Sequence, residues 1–310
     1  MRRGMLVLTL AAVFVVLGSG MALAQKSTPA AAWSVTDCQG CHEKALGTSF
    51  QNTKHAKLDQ SCVQCHVNVA EHAKGQLNGD AKAPSPALKN LTATQINDKC
   101  LSCHEKAKQA NYVSSAHARR NVACTSCHSA HDAKSVKAQL KTKMDADTCY
   151  TCHKSERAKS MRTSHHPVRE GKMGCSSCHN PHDGSTPKMI QGESINELCY
   201  KCHTEKRGPF LFEHAPVRED CISCHDPHGS NHKRLLLNKL PNLCWNCHLT
   251  GSGHFGSGDN ANTEKGAFVA PAGAPSGFPI AGSRFVEKSC KNCHVNLHGS
   301  NSPSGAAFLR

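Results

Sequence analysis

The sequence predicts a chain of short α-helices and loops, arranged as a linear tandem array with little regular secondary structure. Only 14 of its 310 residues are Phe, Tyr or Trp, and 38% are hydrophobic, which is thin for a large core of side chains. A cysteine-containing segment recurs about every 24 residues, a period that holds little more than a helix and a turn. Something other than side chains is therefore expected to fill the interior.

The first 24 residues are interpreted as a signal peptide. Arg2 and Arg3 form a basic start, residues 5–17 are apolar, and small residues at 22–24 form a cleavage site. A membrane anchor is the alternative, but the apolar stretch is shorter than the ~20 residues that a span needs. No later segment reads as lipid-spanning, so the mature chain, 25–310, is expected to be exported.

All 20 cysteines lie in Cys-x-x-Cys pairs, and histidine directly follows each pair. Two thiols about one helical turn apart face the same side, and CxxCH is the attachment signature of c-type haem, with the histidine as proximal iron ligand. Structural zinc is the alternative, but it needs no histidine after every pair. The sequence therefore predicts ten covalently attached haems c. The motifs, numbered 1 to 10 in chain order, are Cys38-Cys41-His42, Cys62-Cys65-His66, Cys100-Cys103-His104, Cys124-Cys127-His128, Cys149-Cys152-His153, Cys175-Cys178-His179, Cys199-Cys202-His203, Cys221-Cys224-His225, Cys244-Cys247-His248 and Cys290-Cys293-His294.

Twelve histidines lie outside these motifs, and every motif is followed by one of them in a repeating register. We interpret ten as distal iron ligands. The segment HHPVRE at His165 matches HAPVRE at His214, which favours His165 over His166 as ligand. His232 is interpreted as a surface or propionate-contacting residue. The predicted distal ligands are His55, His72, His117, His131, His165, His182, His214, His228, His254 and His298.

The spacing of His225 and His228 indicates how distal ligands are used. Two histidines three residues apart on one turn face the same way, so they cannot bind opposite faces of one haem, and His228 must serve another ring. Ten distal ligands for ten irons leave no open face for a substrate. Electron transfer without enzymatic activity is therefore expected; a multihaem oxidoreductase with an open haem site is an alternative.

One decahaem domain of five two-haem units is expected between residues 25 and 310. Helices are predicted to lead into the odd-numbered motifs, and two longer connections, 73–99 and 249–289, are predicted to be loops because they are rich in Gly, Pro and Ser. The units cover approximately 38–72, 100–131, 149–182, 199–228 and 244–298. The predicted N-caps are Asn97, Asp98, residues 145–147 and Asn196.

The formal charge of +14 does not indicate a nucleic-acid partner. Loss of the two arginines of the signal peptide and the addition of ten ferric haems, each with two propionates, bring the charge to about +2. Many lysines and arginines are therefore expected to neutralise propionates, and no nucleic-acid binding is predicted.

Ten CxxCH motifs with ten further histidines, in repeated HxPV…CxxCHxPH segments, resemble the periplasmic decahaem cytochromes of the MtrA/DmsE family. The resemblance covers essentially the whole mature chain. It departs from the repeat in the last unit, where 46 residues separate Cys244 from Cys290 and where His254 lies. It implies a haem wire inserted in an outer-membrane β-barrel porin, which carries electrons between the periplasm and an extracellular acceptor or donor, as in metal or dimethyl sulfoxide respiration.

The partners implied by this resemblance are the porin, an extracellular multihaem cytochrome or terminal reductase, and periplasmic or inner-membrane donor cytochromes. A compact mature chain would be about 49 Å across, enough to cross a bilayer of about 40–45 Å. A charged, loop-rich chain needs a protein sheath for this. A soluble periplasmic multihaem electron shuttle without a porin is the alternative.

Overall fold

The computed structural model describes residues 35–44, 46, 48–58, 61–106, 109–135, 138–248, 289–303 and 305–309. The predicted signal peptide, His254 and nearly all of the predicted loop 249–289 lie outside these residues.

Short α-helices follow one another along the described part of the chain, and none is longer than nine residues. They are α1 (Val35–His42), α2 (Thr48–Gln51), α3 (Ser61–Cys65), α4 (Val69–Leu77), α5 (Ala93–Leu101), α6 (Ala116–Arg119), α7 (Cys124–Cys127), α8 (Asp145–Cys149), α9 (Lys154–Ser160), α10 (Ile195–Tyr200), α11 (Ala215–Glu219) and α12 (Asn242–Trp245).

Short 3₁₀ turns and loops connect these helices, and the described residues form isolated β-bridges but no β-strand. The predicted fold class, short helices and loops with little regular structure, is therefore confirmed. The 3₁₀ turns are His55–Lys57, Leu88–Asn90, Tyr112–Ser114, Cys175–Ser177, Pro187–Met189, Thr204–Lys206, Cys221–Ser223, Lys233–Leu235, Cys290–Asn292 and Gly305–Ala307.

The predicted loop 73–99 is wrong at both ends, because α4 extends to Leu77 and α5 begins at Ala93. Helix α5 begins with a capping box in which the Thr92 side chain accepts from the Gln95 backbone N–H and Gln95 reaches back to Thr92. This reciprocal bonding satisfies N–H groups that have no partner inside the helix.

The predicted N-caps at Asn97, Asp98 and Asn196 are also wrong. Asn97 and Asp98 lie inside α5, and Asn196 lies inside α10, which is capped by the Ser194 side chain. Asn97 and Asn196 are buried and bond to a different part of their unit. The region 145–147 does begin α8, but no side-chain cap bond forms there.

Consecutive units are joined by backbone pairing. Ser164, in the third unit, pairs with Ser230 just beyond the fourth through two backbone bonds of 2.9 and 2.8 Å. Phe212 pairs with Ser300 in the same way at 3.0 and 2.9 Å. Units 3 and 4 therefore each reach forward to the next unit, as expected of a tandem array.

Few large apolar side chains are buried in the described residues: Leu46, Phe50, Ile96 and Tyr112, with Ala146 as a small fifth. This agrees with an interior not built mainly from side chains. Among the described helices, none has both the length and the apolar character needed to cross a membrane.

Candidate haem-binding sites

Each CxxCH motif forms a compact turn. In motifs 2 to 10 the histidine N–H donates to the carbonyl of the first cysteine, for example His104 to Cys100 at 2.9 Å and His225 to Cys221 at 3.2 Å, and motif 1 lies wholly within helix α1. One turn therefore carries two thiols and an imidazole, which is the arrangement that covalent attachment of a porphyrin requires.

Nine proximal histidines each lie opposite a histidine from outside the motifs. The ring-centroid distances are 6.0 Å for His42–His72, 5.9 Å for His66–His131, 5.9 Å for His104–His55, 5.9 Å for His128–His182, 6.1 Å for His153–His117, 6.1 Å for His179–His228, 6.4 Å for His203–His166, 6.2 Å for His225–His298 and 6.2 Å for His248–His214.

This spacing fits a metal ion held between two imidazoles. Two metal–nitrogen bonds of about 2.0–2.1 Å each, with half the width of each ring, separate the centroids by about 6 Å. Haem iron with two histidine ligands has this geometry. The residues present therefore fit a haem at each of the nine positions.

The pairing follows one rule along the chain. The proximal histidine of an even-numbered motif faces the last histidine of the next unit, as in His179–His228, whereas an odd-numbered motif faces the middle histidine of the preceding unit, as in His153–His117. Motif 1 is the exception, since His42 faces His72 of its own unit. His228 faces a ring other than that of His225, as the spacing argument requires.

The structure brings His166, not His165, to His203, so the predicted choice between them is corrected. The His165 ring instead contacts the Glu170 carboxylate at 3.2 Å and the Arg162 carbonyl at 2.6 Å. The backbone register explains the difference. His166 stands two residues after Ser164, as His214 stands two residues after Phe212, and Ser164 and Phe212 form the equivalent bridges.

Backbone carbonyls accept a hydrogen bond from Nδ1 of many of these rings. A carbonyl can only accept, so Nδ1 carries the proton and Nε2 is left for iron. Among distal histidines, His117 donates to Pro181 O at 3.1 Å and His166 to Pro227 O at 2.8 Å. Among proximal histidines the bonds are His66 to Pro86 O at 2.7 Å, His128 to Ala138 O at 2.7 Å, His179 to Lys188 O at 3.0 Å, His225 to Arg234 O at 2.7 Å and His294 to Ala307 O at 2.6 Å.

A strained turn follows four of these acceptor carbonyls. The next residue has a left-handed backbone without being glycine: Gln139 (φ 50°), Met189 (φ 55°), Leu235 (φ 59°) and Phe308 (φ 54°). Such a conformation costs about 1–2 kcal/mol and is usual at functional sites. The sequence did not predict these turns, because they contribute a backbone carbonyl, and every residue type has one. The recurring segments KMI at 188–190 and RLL at 234–236 were the available signal.

Burial favours the neutral forms of the histidines and thiols. It is the main cause that lowers the pKa of His214 and His228, and that of His298 to about 4. Neutral imidazole is the form that binds metal. Burial, followed by the neighbouring thiol of Cys62, raises the pKa of Cys38 to about 11.

First cysteines of the two motifs in a unit lie side by side. The sulfurs of Cys38 and Cys62 are 3.6 Å apart. The equivalent thiol contacts in the other units are Cys100–Cys124, Cys149–Cys175, Cys199–Cys221 and Cys244–Cys290. Between units, Cys65 interacts with Cys100 and Cys127 with Cys152. Attachment points therefore follow one another in chain order.

Comparison with known proteins agrees with this arrangement. The family model described as "Doubled CXXCH motif" matches residues 117–158, 165–208 and 214–252, and "Cytochrome c554 and c-prime" matches residues 80–129. The cytochrome c-type protein NrfB of Escherichia coli is 28% identical over 39% of this chain and 65% of its own length. The high-molecular-weight cytochrome c of Nitratidesulfovibrio vulgaris is 28% identical over 33% of this chain and 21% of its own length.

A longer match extends over nearly the whole sequence. The multiheme cytochrome MtrA of Shewanella baltica is 36% identical over an alignment of 282 positions that covers 88% of this chain and 80% of the relative. Together with the repeated CxxCH turns and the facing imidazoles, this match establishes haem c as the cofactor type and electron transfer, rather than enzymatic catalysis, as the activity. The chain belongs to the MtrA family of multihaem c-type cytochromes.

Proposed function

We propose that the chain carries ten haems c, one at each CxxCH motif, and that both axial positions of each iron are taken by histidine. The observation that carries this proposal is the centroid spacing of about 6 Å in nine histidine pairs. For motif 10 we propose His254 as the distal ligand of the iron bound by His294. The other predicted distal histidines, with His166 in place of His165, already face other motifs.

Bound haem supplies an iron that alternates between ferric and ferrous states. The residues of the chain close both of its faces, fix the planes of the imidazoles through Nδ1, and keep neighbouring attachment points together. A small molecule then finds no vacant coordination site, so electrons pass along the array without substrate chemistry. The five units between residues 25 and 310 act as one continuous domain.

The exported chain works in the periplasm, inserted in an outer-membrane β-barrel porin, and conducts electrons across that membrane. Its partners are periplasmic or inner-membrane donor cytochromes on one side and an extracellular multihaem cytochrome or terminal reductase on the other. Similarity to MtrA along 88% of the chain, the basic and apolar N-terminal segment interpreted as a signal peptide and the serial order of the motifs support this role.

Reconstitution in liposomes tests the proposal. The purified haem-loaded chain is inserted with a candidate porin into vesicles that contain a reduced dye. An oxidant is then added outside the vesicles. Rapid dye oxidation only when both proteins are present is the expected result. Equal oxidation with porin alone would indicate leakage through the barrel, and no oxidation with both would contradict a conduit and favour a soluble shuttle.

A further inference from the structure

Two buried asparagines join the two motifs of their unit. Asn97 stands three residues before Cys100, and its Oδ1 accepts from the backbone N–H of Cys124 at 2.8 Å, while its Nδ2 donates to Val122 O at 3.1 Å. One short hydrogen-bonded bridge therefore links the chain just before Cys100 to the backbone of Cys124, and these two residues are the first cysteines of the two motifs.

The fourth unit repeats this bridge with different surroundings. Asn196 stands three residues before Cys199, and its Oδ1 accepts from the N–H of Cys221 at 2.8 Å. Its Nδ2 donates to the carbonyls of Val217 and Arg218, both at 3.0 Å. Every polar atom of this buried amide is used, which is the condition under which a buried polar group stabilises one arrangement.

The third unit achieves the same link with a carboxylate. Asp145, at the start of α8, accepts from the backbone N–H of Ser176 at 2.9 Å and from its hydroxyl at 2.6 Å. Ser176 directly follows Cys175. A Cβ at Gly174 would lie 2.2 Å from the carboxylate, so the glycine before this motif leaves the space that Asp145 occupies.

We propose that Asn97, Asp145 and Asn196 are positioning residues that fix the two haems of units 2, 3 and 4 relative to each other. This inference rests on the proposed haem loading. The bonded N–H belongs to the first cysteine of the even-numbered motif, or to the residue after it. The bonding side chain is on the helix that ends in the odd-numbered motif. A shift of one motif relative to the other therefore breaks the hydrogen bond between them.

Units 1 and 5 lack the asparagine that units 2 and 4 share. Three residues before the first cysteine, unit 1 has Val35 and unit 5 has Pro241, and neither side chain can accept a hydrogen bond. The proposal is therefore confined to units 2, 3 and 4.

Substitutions in the full-length holoprotein test the role of the bridge. Asp145→Leu and Asn196→Leu remove the acceptor, Asp145→Asn retains it, and Asn242→Leu is a matched control on α12 because Asn242 is exposed two residues before Cys244. Haem content by intact mass, the paired bands of opposite sign in Soret-region circular dichroism, and hydrogen exchange at the Cys221 amide are measured.

The expected result is full haem content in all variants, with weaker paired Soret bands for Asp145→Leu and Asn196→Leu only. The Cys221 amide should exchange about tenfold faster in Asn196→Leu, and Asp145→Asn should retain the wild-type bands. Unchanged bands in both leucine variants would overturn the positioning role while leaving haem loading intact. Wild-type protein without ten haems would instead refute the proposed function. If Asn196→Leu does not fold, the comparison of Asp145→Leu with Asp145→Asn tests the positioning role.

Discussion

The odd-numbered and even-numbered motifs hold the same type of ligand in two different settings. In the five even-numbered motifs the proximal histidine is half-buried, and its Nδ1 donates to a backbone carbonyl. In the five odd-numbered motifs it is exposed. Two of these exposed rings have a carboxylate near Nδ1: Glu156 is 3.9 Å from His153, and Glu205 is 3.8 Å from His203.

The ring planes follow these settings at some motifs only. His128–His182, His179–His228 and His225–His298, at even-numbered motifs, are nearly parallel, with interplanar angles of 20°, 14° and 17°, but His66–His131 is tilted at 49°. His104–His55 and His153–His117, at odd-numbered motifs, are inclined at 72° and 77°, but His248–His214 is nearly parallel at 18°. A fixed neutral carbonyl controls ring orientation, whereas an exposed carboxylate acts through charge that solvent and salt screen. Proximal histidines bonded to backbone carbonyls thus alternate along the chain with exposed ones, two of which are under surface control by a carboxylate.

The largest effect is expected from removing one distal histidine. His166→Ala should leave the haem at His203 with an open face, so that one iron becomes high-spin and binds cyanide. His165→Ala should leave every iron low-spin, because that ring contacts Glu170 rather than a proximal histidine. Electron paramagnetic resonance with and without cyanide measures both. A high-spin signal in His165→Ala and none in His166→Ala would reverse the assignment.

A smaller effect is expected at the strained turns of the even-numbered motifs. Leu235 follows the carbonyl that accepts from His225 and has φ 59°, a conformation that a β-branched residue tolerates poorly. Leu235→Val should lower the free energy of unfolding by about 1–2 kcal/mol, and Leu235→Gly should be nearly neutral. Leu236→Val, at an ordinary φ of −66°, is the control in thermal unfolding. Equal losses in the two valine variants would refute strain at Leu235.

The smallest effect is expected at an exposed carboxylate beside an odd-numbered motif. Glu205→Gln removes a negative charge near His203, which should raise the potential of that haem. The rise should not exceed about 40 mV, since an exposed ion pair is worth at most about 1 kcal/mol. It should shrink as salt is added. A potentiometric titration followed in the Soret band measures the shift, and a fall in potential would contradict the surface-control interpretation.

The local turn at each site could be predicted from the sequence, and the long-range pairing of histidines could not. CxxCH describes one turn, which the structure forms, and the predicted attachment cysteines and proximal histidines rest on this spacing alone. The partner of His225 is His298, 73 residues later, and no local pattern encodes that distance. The choice of His166 depends on the Ser164–Ser230 bridge, whereas the matching letters HHPVRE and HAPVRE aligned the wrong histidine.

The roles of Asn97 and Asn196 were missed for a related reason. Asparagine ahead of a helical motif is typical of an N-cap, but both residues are buried and bond to backbone about 25 residues further along the chain. Tertiary bonding replaced the local role that the sequence pattern favoured.

A density map of the haem-loaded chain tests the central claim most directly, because it shows which histidine lies across each iron from the CxxCH histidine. We expect His228 across from His179 and His298 across from His225, so that each unit supplies ligands to its neighbours. An iron at His179 bound instead by His182, from the same unit, would contradict this claim.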